Sequence, residues 1–237
     1  MNRFEQKSFT FEERNAVVFF PSCPSNGKLI LKTEYLTAFP TFEIEMLKRG
    51  YTLAFMSHPT RWAPDSEVQV TAEFIKFVAK EYNLDSRCIM VGMSCGGLQA
   101  VRIAEQYPEL VSVLFLDAPV LNLLSLYGLG ACKHSSVATF KYELDKTYGF
   151  TPSTVINFRK SPIDNMKPLI ENNIPIIMVY GDADEVVIYE ENGKVLEDYY
   201  AENGGDLKAI RIEGRGHHPH SLADPTPIIE YVEAHLN

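Results

Sequence analysis

Cys88-Ile89-Met90-Val91-Gly92-Met93-Ser94-Cys95-Gly96-Gly97-Leu98-Gln99-Ala100-Val101 is the stretch on which the reading of this chain turns. Its first four residues form an apolar run suited to a buried strand, and Leu98 and Val101 open a helical pattern. Gly92-Met93-Ser94-Cys95-Gly96 lies between the two. A Gly-x-Ser-x-Gly turn between a strand and a helix is a nucleophile elbow. Such a turn holds its serine in strained backbone geometry. Side chains two positions away on either side would collide with the turn, so glycine occupies both. The following helix directs free N–H groups and its positive end at the apex, where a carbonyl under attack develops negative charge.

Outward from this turn, strand-like runs alternate with helical ones. Residues 16–20, 51–56, 88–91, 111–116, 175–180 and 207–212 read as strands, several as unbroken apolar runs expected of strands covered on both faces. Residues 8–12 add an alternating edge strand. Val68, Ala72, Ile75, Ala79 and Tyr82 recur at helical spacing after Pro64, with Asp65 or Ser66 as cap. Leu98, Val101 and Ala104 form the buried stripe of the helix after the elbow, and Asp224-Pro225 opens a last helix that buries Ile228, Val232 and Leu236. The pattern predicts an α/β fold, a mostly parallel central sheet flanked by helices, with ligands at the carboxyl ends of the strands. Residues 122–162 break the alternation and carry Tyr127, Phe140, Tyr142, Tyr148, Phe150 and Phe158. They read as a small lid-like insertion over the strand ends, most of the aromatics packing it down.

The 237 residues fit one domain spanning 1–237. A formal charge of −9 argues against nucleic acid or an anionic membrane surface as partner. The polar opening Met1-Asn2-Arg3-Phe4-Glu5-Gln6-Lys7 shows no signal or spanning segment. Cys23, Cys88, Cys95 and Cys132 lack close-paired spacing, so free thiols in a reducing cytoplasm are expected. Glycine-rich phosphate-binding loops are missing from the sequence, and no cofactor is expected.

A serine hydroxyl needs a base to take its proton and a third group to orient that base. Ile176-Ile177-Met178-Val179-Tyr180 leads into Gly181-Asp182-Ala183-Asp184, and Ala209-Ile210-Arg211-Ile212 leads into Gly214-Arg215-Gly216-His217-His218-Pro219-His220. Serine, acid and histidine thus follow one another, each after its own strand. These motifs resemble the α/β-hydrolase superfamily, whose triad has this order, from about residue 16 to residue 236. The resemblance implies Ser94 as nucleophile, Asp184 as acid and His217 as base. Asp182 and Asp117 are the rival acids and His218 the rival base. It also implies an oxyanion hole made by the N–H of Cys95 and one from the loop after residues 16–20. There Phe20-Pro21-Ser22-Cys23-Pro24 departs from the His-Gly start common in the family and leaves Cys23 as second donor.

His217, His218 and His220 with Asp182 and Asp184 are of the residue types that bind a divalent metal. Adjacent histidines on an irregular loop are expected to diverge, and no metal is expected. The expected function is hydrolysis of a small-molecule carboxylic ester, the resemblance leaning toward acetylated or aryl-acylated carbohydrate. Peptidase-like or thioesterase activity, or a non-catalytic hydrolase-fold binding module, are the alternatives. The sequence shows no accessory domain of the kind oligopeptidases use to select peptides, which favours the ester. His58, Arg61 and Trp62 follow another strand and are candidates to line the site or simply to pack.

Overall fold

The computed structural model describes residue 1 and residues 3–236. Its strands are β1 (Gln6–Phe11), β2 (Arg14–Phe19), β3 (Leu29–Lys32), β4 (Thr52–Met56), β5 (Cys88–Met93), β6 (Val111–Asp117), β7 (Ile176–Gly181) and β8 (Leu207–Ile212). Its α-helices are α1 (Thr41–Lys48), α2 (Asp65–Glu81), α3 (Cys95–Gln106), α4 (Val137–Tyr148), α5 (Pro152–Val155), α6 (Lys167–Glu171), α7 (Gly193–Asn203) and α8 (Thr226–Ala234). The strands form one sheet in the order β1-β2-β4-β3-β5-β6-β7-β8. β2 runs against its neighbours on both sides, and every pair from β4 across to β8 is parallel.

Successive residues of the central strands point to opposite faces, which explains their unbroken apolar sequences. Ile89, Val91, Val113 and Phe115 face α1 and α8, where they meet Phe42, Met46, Ile228 and Val232. Met90, Leu114 and Leu116 face α2 and α3, where they meet Val68, Ala72, Leu98 and Val101. Each such side chain withdrawn from water contributes about 1.5–3 kcal/mol, so both faces must be covered for the sheet to be stable.

Two elements differ from the sequence expectation. β1 and β2 form a hairpin whose turn residues, Glu12 and Glu13, both have positive φ, 44° and 62°. A two-residue hairpin of that hand normally advertises itself by Asn-Gly, and here it does not. Residues 28–32 show only three apolar residues between two lysines; they nevertheless form β3, inserted between β4 and β5. Lys32 is fully buried because its Nζ lies 2.6 Å from Glu43 Oε1 and donates to the Ala38 carbonyl at 2.7 Å. The lysine thus ties the residues after β3 to α1 from below. At the last helix, Asp224 binds the N–H and hydroxyl of Thr226, and Pro225 occupies the cap position itself.

Lys32→Met leaves the Glu43 carboxylate buried without a counter-charge. A loss of about 3–5 kcal/mol is expected, read as a fall in chemical-denaturation stability. The double variant Lys32→Met/Glu43→Leu should recover most of it, and failure to recover would refute the pairing as the cause.

Candidate active site

Four parallel strands end along one rim, where Met93 sits opposite Asp117, Asp117 opposite Val179 and Gly181 opposite Ile212. The loops after β5, β7 and β8 therefore begin as neighbours, although their residues lie far apart in the chain. Ser94 stands between β5 and α3 with φ 50° and ψ −120°. A Cβ on Gly92 would lie 2.7 Å from Gly97 Cα and 2.8 Å from the Gly96 carbonyl oxygen, a collision with the turn as expected. A Cβ on Gly96 would instead lie 2.8 Å from Thr33 Oγ1. That glycine admits the loop after β3, not the turn.

His217 Nε2 lies 3.0 Å from Ser94 Oγ, and His217 Nδ1 donates to Asp184 Oδ2 at 2.7 Å. Asp184 Oδ1 accepts the N–H groups of Val186 and Val187, both at 2.9 Å. Burial alone would raise the Asp184 carboxyl, but the His217 hydrogen bond and charge, with the Val187 and Val186 N–H groups, hold it below the ordinary aspartate range. This is a continuous relay able to draw a proton from a hydroxyl.

The rival residues have other partners. Asp182 accepts from Arg211 Nε at 2.9 Å and from the Gly214 N–H at 2.6 Å, closing the turn between β7 and β8. Asp117 accepts from His220 Nδ1 at 3.0 Å and Arg215 Nη2 at 3.3 Å, and also from the Ser221 N–H. It braces the histidine loop from beneath and does not touch His217. His218 stacks on Phe39 with ring centroids 6.1 Å apart. The expectation that these histidines diverge fails: the rings of His217, His218 and His220 lie 4.9 Å apart in each pair.

Cys95 opens α3 immediately after Ser94, so its backbone N–H is one of the unpaired donors at a helix start. Its thiol is buried and pushed up to about 11 by that burial, which leaves it protonated and unreactive. Cys23 is misplaced as a second donor. β2 runs antiparallel to β4, with Phe19 opposite Leu53 and Ala16 opposite Met56, so the residues after β2 lie at the opposite edge of the sheet from Ser94. Cys23 is exposed there and its thiol donates to the Lys48 carbonyl at 3.3 Å.

The loop that does reach Ser94 follows β3, the strand without a clear sequence signal. Thr33 Oγ1 sits 2.7 Å from the Gly96 carbonyl and 3.0 Å from that of Val91, sharing its proton between them. Tyr35, two residues on, has φ 55° and lines the same cavity as Ser94 and Cys95. Glu34 between them is half-buried, and burial pushes its carboxyl up to about 7 against the opposing pull of the Tyr35 N–H and Arg61.

The cavity at Ser94 holds about 430 Å³. Residues 122–162 contribute Leu126 and Phe140 to its wall, and Val186 and Val187 lie opposite. Most aromatics of that segment pack: Tyr148, Phe150 and Phe158 stack within 5.0–5.2 Å of one another, and Tyr142 is exposed. Arg61 lines the cavity while its Nε and Nη2 donate to Glu143 of α4. Trp62 is buried and donates to the same carboxylate at 2.8 Å, so it anchors and does not line the pocket. His58 is buried against Glu67 at 3.1 Å.

The α/β-hydrolase fold family matches residues 54–158. No curated protein matches the sequence. Among solved structures, a puromycin-hydrolyzing peptidase of Mycobacterium tuberculosis superposes with a TM-score of 0.75 at 13% identity, covering 98% of this chain and 38% of that one. An acylaminoacyl peptidase of Pyrococcus horikoshii gives 0.66 at 15%, covering 90% and 37%. A protein named as a lipase from Acinetobacter baumannii gives 0.60 at 16%, covering 98% and 92%. The chain thus spans little more than a third of either peptidase, and the likeness establishes the fold. Among the described residues no helix is long and apolar enough to cross a membrane.

Because the Glu34 carboxyl titrates higher in the folded chain than in the unfolded one, folding takes up a proton between about pH 4.3 and 7. That uptake lowers stability as pH rises through this window. Glu34→Gln should therefore gain thermal stability over wild type progressively from pH 4.5 to 7 and hold a constant advantage above. A pH-independent difference would contradict the assignment.

Proposed function

We propose that this chain, a member of the α/β-hydrolase superfamily, is a serine hydrolase that cleaves carboxylic esters through an acyl-serine intermediate. The hydrogen-bonded line from Ser94 Oγ through His217 to Asp184 carries the reading. His217 Nε2 takes the Ser94 proton as Oγ attacks the carbonyl carbon. The oxyanion accepts from the N–H of Cys95, in a site where such a donor is worth far more than in water. Asp184, held ionised by its own N–H partners, accepts Nδ1–H and stabilises the imidazolium. The tetrahedral intermediate collapses, and Nε2–H returns its proton to the departing alkoxide. A water deprotonated by the same nitrogen then releases the acid and frees Ser94.

The cavity wall supports an ester over a peptide with a free amino terminus. Among the described residues it contains no carboxylate, and its one permanently charged side chain is Arg61. A substrate ammonium would lose water there without gaining a counter-charge. Small acyl groups suit the mostly apolar wall, and acetylated or aryl-acylated carbohydrate falls within that class. The alternative of peptidase-like cleavage draws on the peptidases of the same fold. Loops at the rim of a parallel sheet carry function whichever bond is cut.

A fluorophosphonate probe should label the protein stoichiometrically at Ser94, and Ser94→Ala should abolish both labelling and turnover of p-nitrophenyl acetate. An unlabelled protein would point to a binding module. Asp184→Asn should lower kcat by roughly 10⁴. In a paired panel, aryl and sugar acetates should be hydrolysed faster than aminoacyl anilides; the reverse order would replace the ester reading with the peptidase one.

A further inference from the structure

His217, His218 and His220 all line the cavity that contains Ser94, and one nitrogen from each lies within 4.8 Å of the others. Two of the three are arranged as metal-bound imidazoles usually are. His217 Nδ1 donates to Asp184 at 2.7 Å and His220 Nδ1 donates to Asp117 at 3.0 Å. A carboxylate on one ring nitrogen fixes the tautomer and leaves the lone pair of the other nitrogen outward. On both rings that other nitrogen is Nε2, which on His217 accepts from Ser94 Oγ at 3.0 Å. Both carboxylates are themselves fixed, Asp184 by two backbone N–H groups and Asp117 by the Ser221 N–H and Arg215. His218 has no hydrogen-bond partner among the described residues and is exposed.

We propose that these three imidazoles form an inhibitory site for a borderline-soft divalent cation such as Zn²⁺, binding of which excludes use of Ser94. The proposal rests on the reading of His217 as the base. A metal on His217 Nε2 takes the lone pair that Ser94 needs, and it sits where a substrate carbonyl would be. No bond is broken and no redox change occurs: three neutral nitrogens donate to the ion, and water completes a tetrahedron. Nitrogen ligands of tetrahedral zinc stand about 3.4 Å apart. The present spread of up to 4.8 Å has to narrow when an ion binds, and the His218 ring, which makes no hydrogen bond among the described residues, is free to turn toward it. Asp184 and Asp117, one shell out, offset the added charge, although Arg215 already takes part of the latter. Imidazole donors select zinc over magnesium, which prefers oxygen.

The test separates binding from chemistry. Zn²⁺ titrated calorimetrically into the Ser94→Ala variant at pH 7.5 should bind at one site, and Mg²⁺ should not. His218→Ala, which removes a ligand without breaking a hydrogen bond, should weaken binding by at least about tenfold. In the wild-type protein, saturating Zn²⁺ should block fluorophosphonate labelling of Ser94, and chelation should restore it. In His218→Ala the protective Zn²⁺ concentration should rise by the same factor, each variant referred to its own metal-free rate. Absence of Zn²⁺ binding, binding indifferent to His218, or labelling that persists or accelerates with zinc bound would overturn the site. Labelling absent with and without metal, while calorimetric binding persists, would sink the hydrolase reading and leave the metal site standing.

Discussion

Ser94 occupies backbone geometry that an L-residue adopts only under constraint, at a cost of about 1–3 kcal/mol. The constraint is a set of peptide hydrogen bonds. The Ser94 N–H donates to the Asp117 carbonyl, and its own carbonyl accepts from Val120 and from Gly97, all at 2.9 Å. The elbow thus depends on β5 and β6 remaining paired to their very ends. That pairing depends in turn on the apolar faces covered by α1, α8, α2 and α3. A sheet with one face bare would have no means of holding the serine upright.

Asp117 serves this arrangement twice. Its carbonyl clamps Ser94 while its carboxylate holds His220, Arg215 and the Ser221 N–H. One residue at the end of β6 therefore positions both the serine and the loop that brings the imidazole to it. Charge burial of this kind is tolerable because both Asp117 carboxylate oxygens have partners. The buried Lys32–Glu43 ion pair braces the loop after β3.

What the sequence disclosed follows from how strongly each feature is dictated locally. Unbroken apolar runs such as Ile176–Val179 can only be central strands, and the elbow is marked by glycines that steric exclusion makes obligatory. Ser94, Asp184 and His217, singled out by the family resemblance, each follow a strand that is legible in the sequence, and their three side chains meet. β3 was illegible because a buried lysine, neutralised by a glutamate eleven residues later, looks like a solvated boundary. The Glu12-Glu13 turn hid the reversal of β2. Together these two features explain why Cys23, which lies away from Ser94, is put forward by the sequence as second oxyanion donor. The convergence of the histidines was equally unreadable, since His217 and His220 are held by Asp184, in the loop after β7, and Asp117, at the end of β6.

One part of the cavity wall is carried by a different part of the chain from the proton relay. Leu126 and Phe140 belong to the 122–162 segment, which is fastened through Glu143 to Arg61 and Trp62 beyond β4. Ser94, His217 and Asp184 hang from β5, β8 and β7. The segment is also joined to the loop after β7, where Asn192, Glu191 and the Glu185 carbonyl accept from Asn122, Ser125, Ala131 and Cys132. Replacement of Leu126 or Phe140 can reshape what the void admits without touching the hydrogen bonds of Ser94, His217 and Asp184, which makes this scaffold ready material for changes of diet without changes of chemistry.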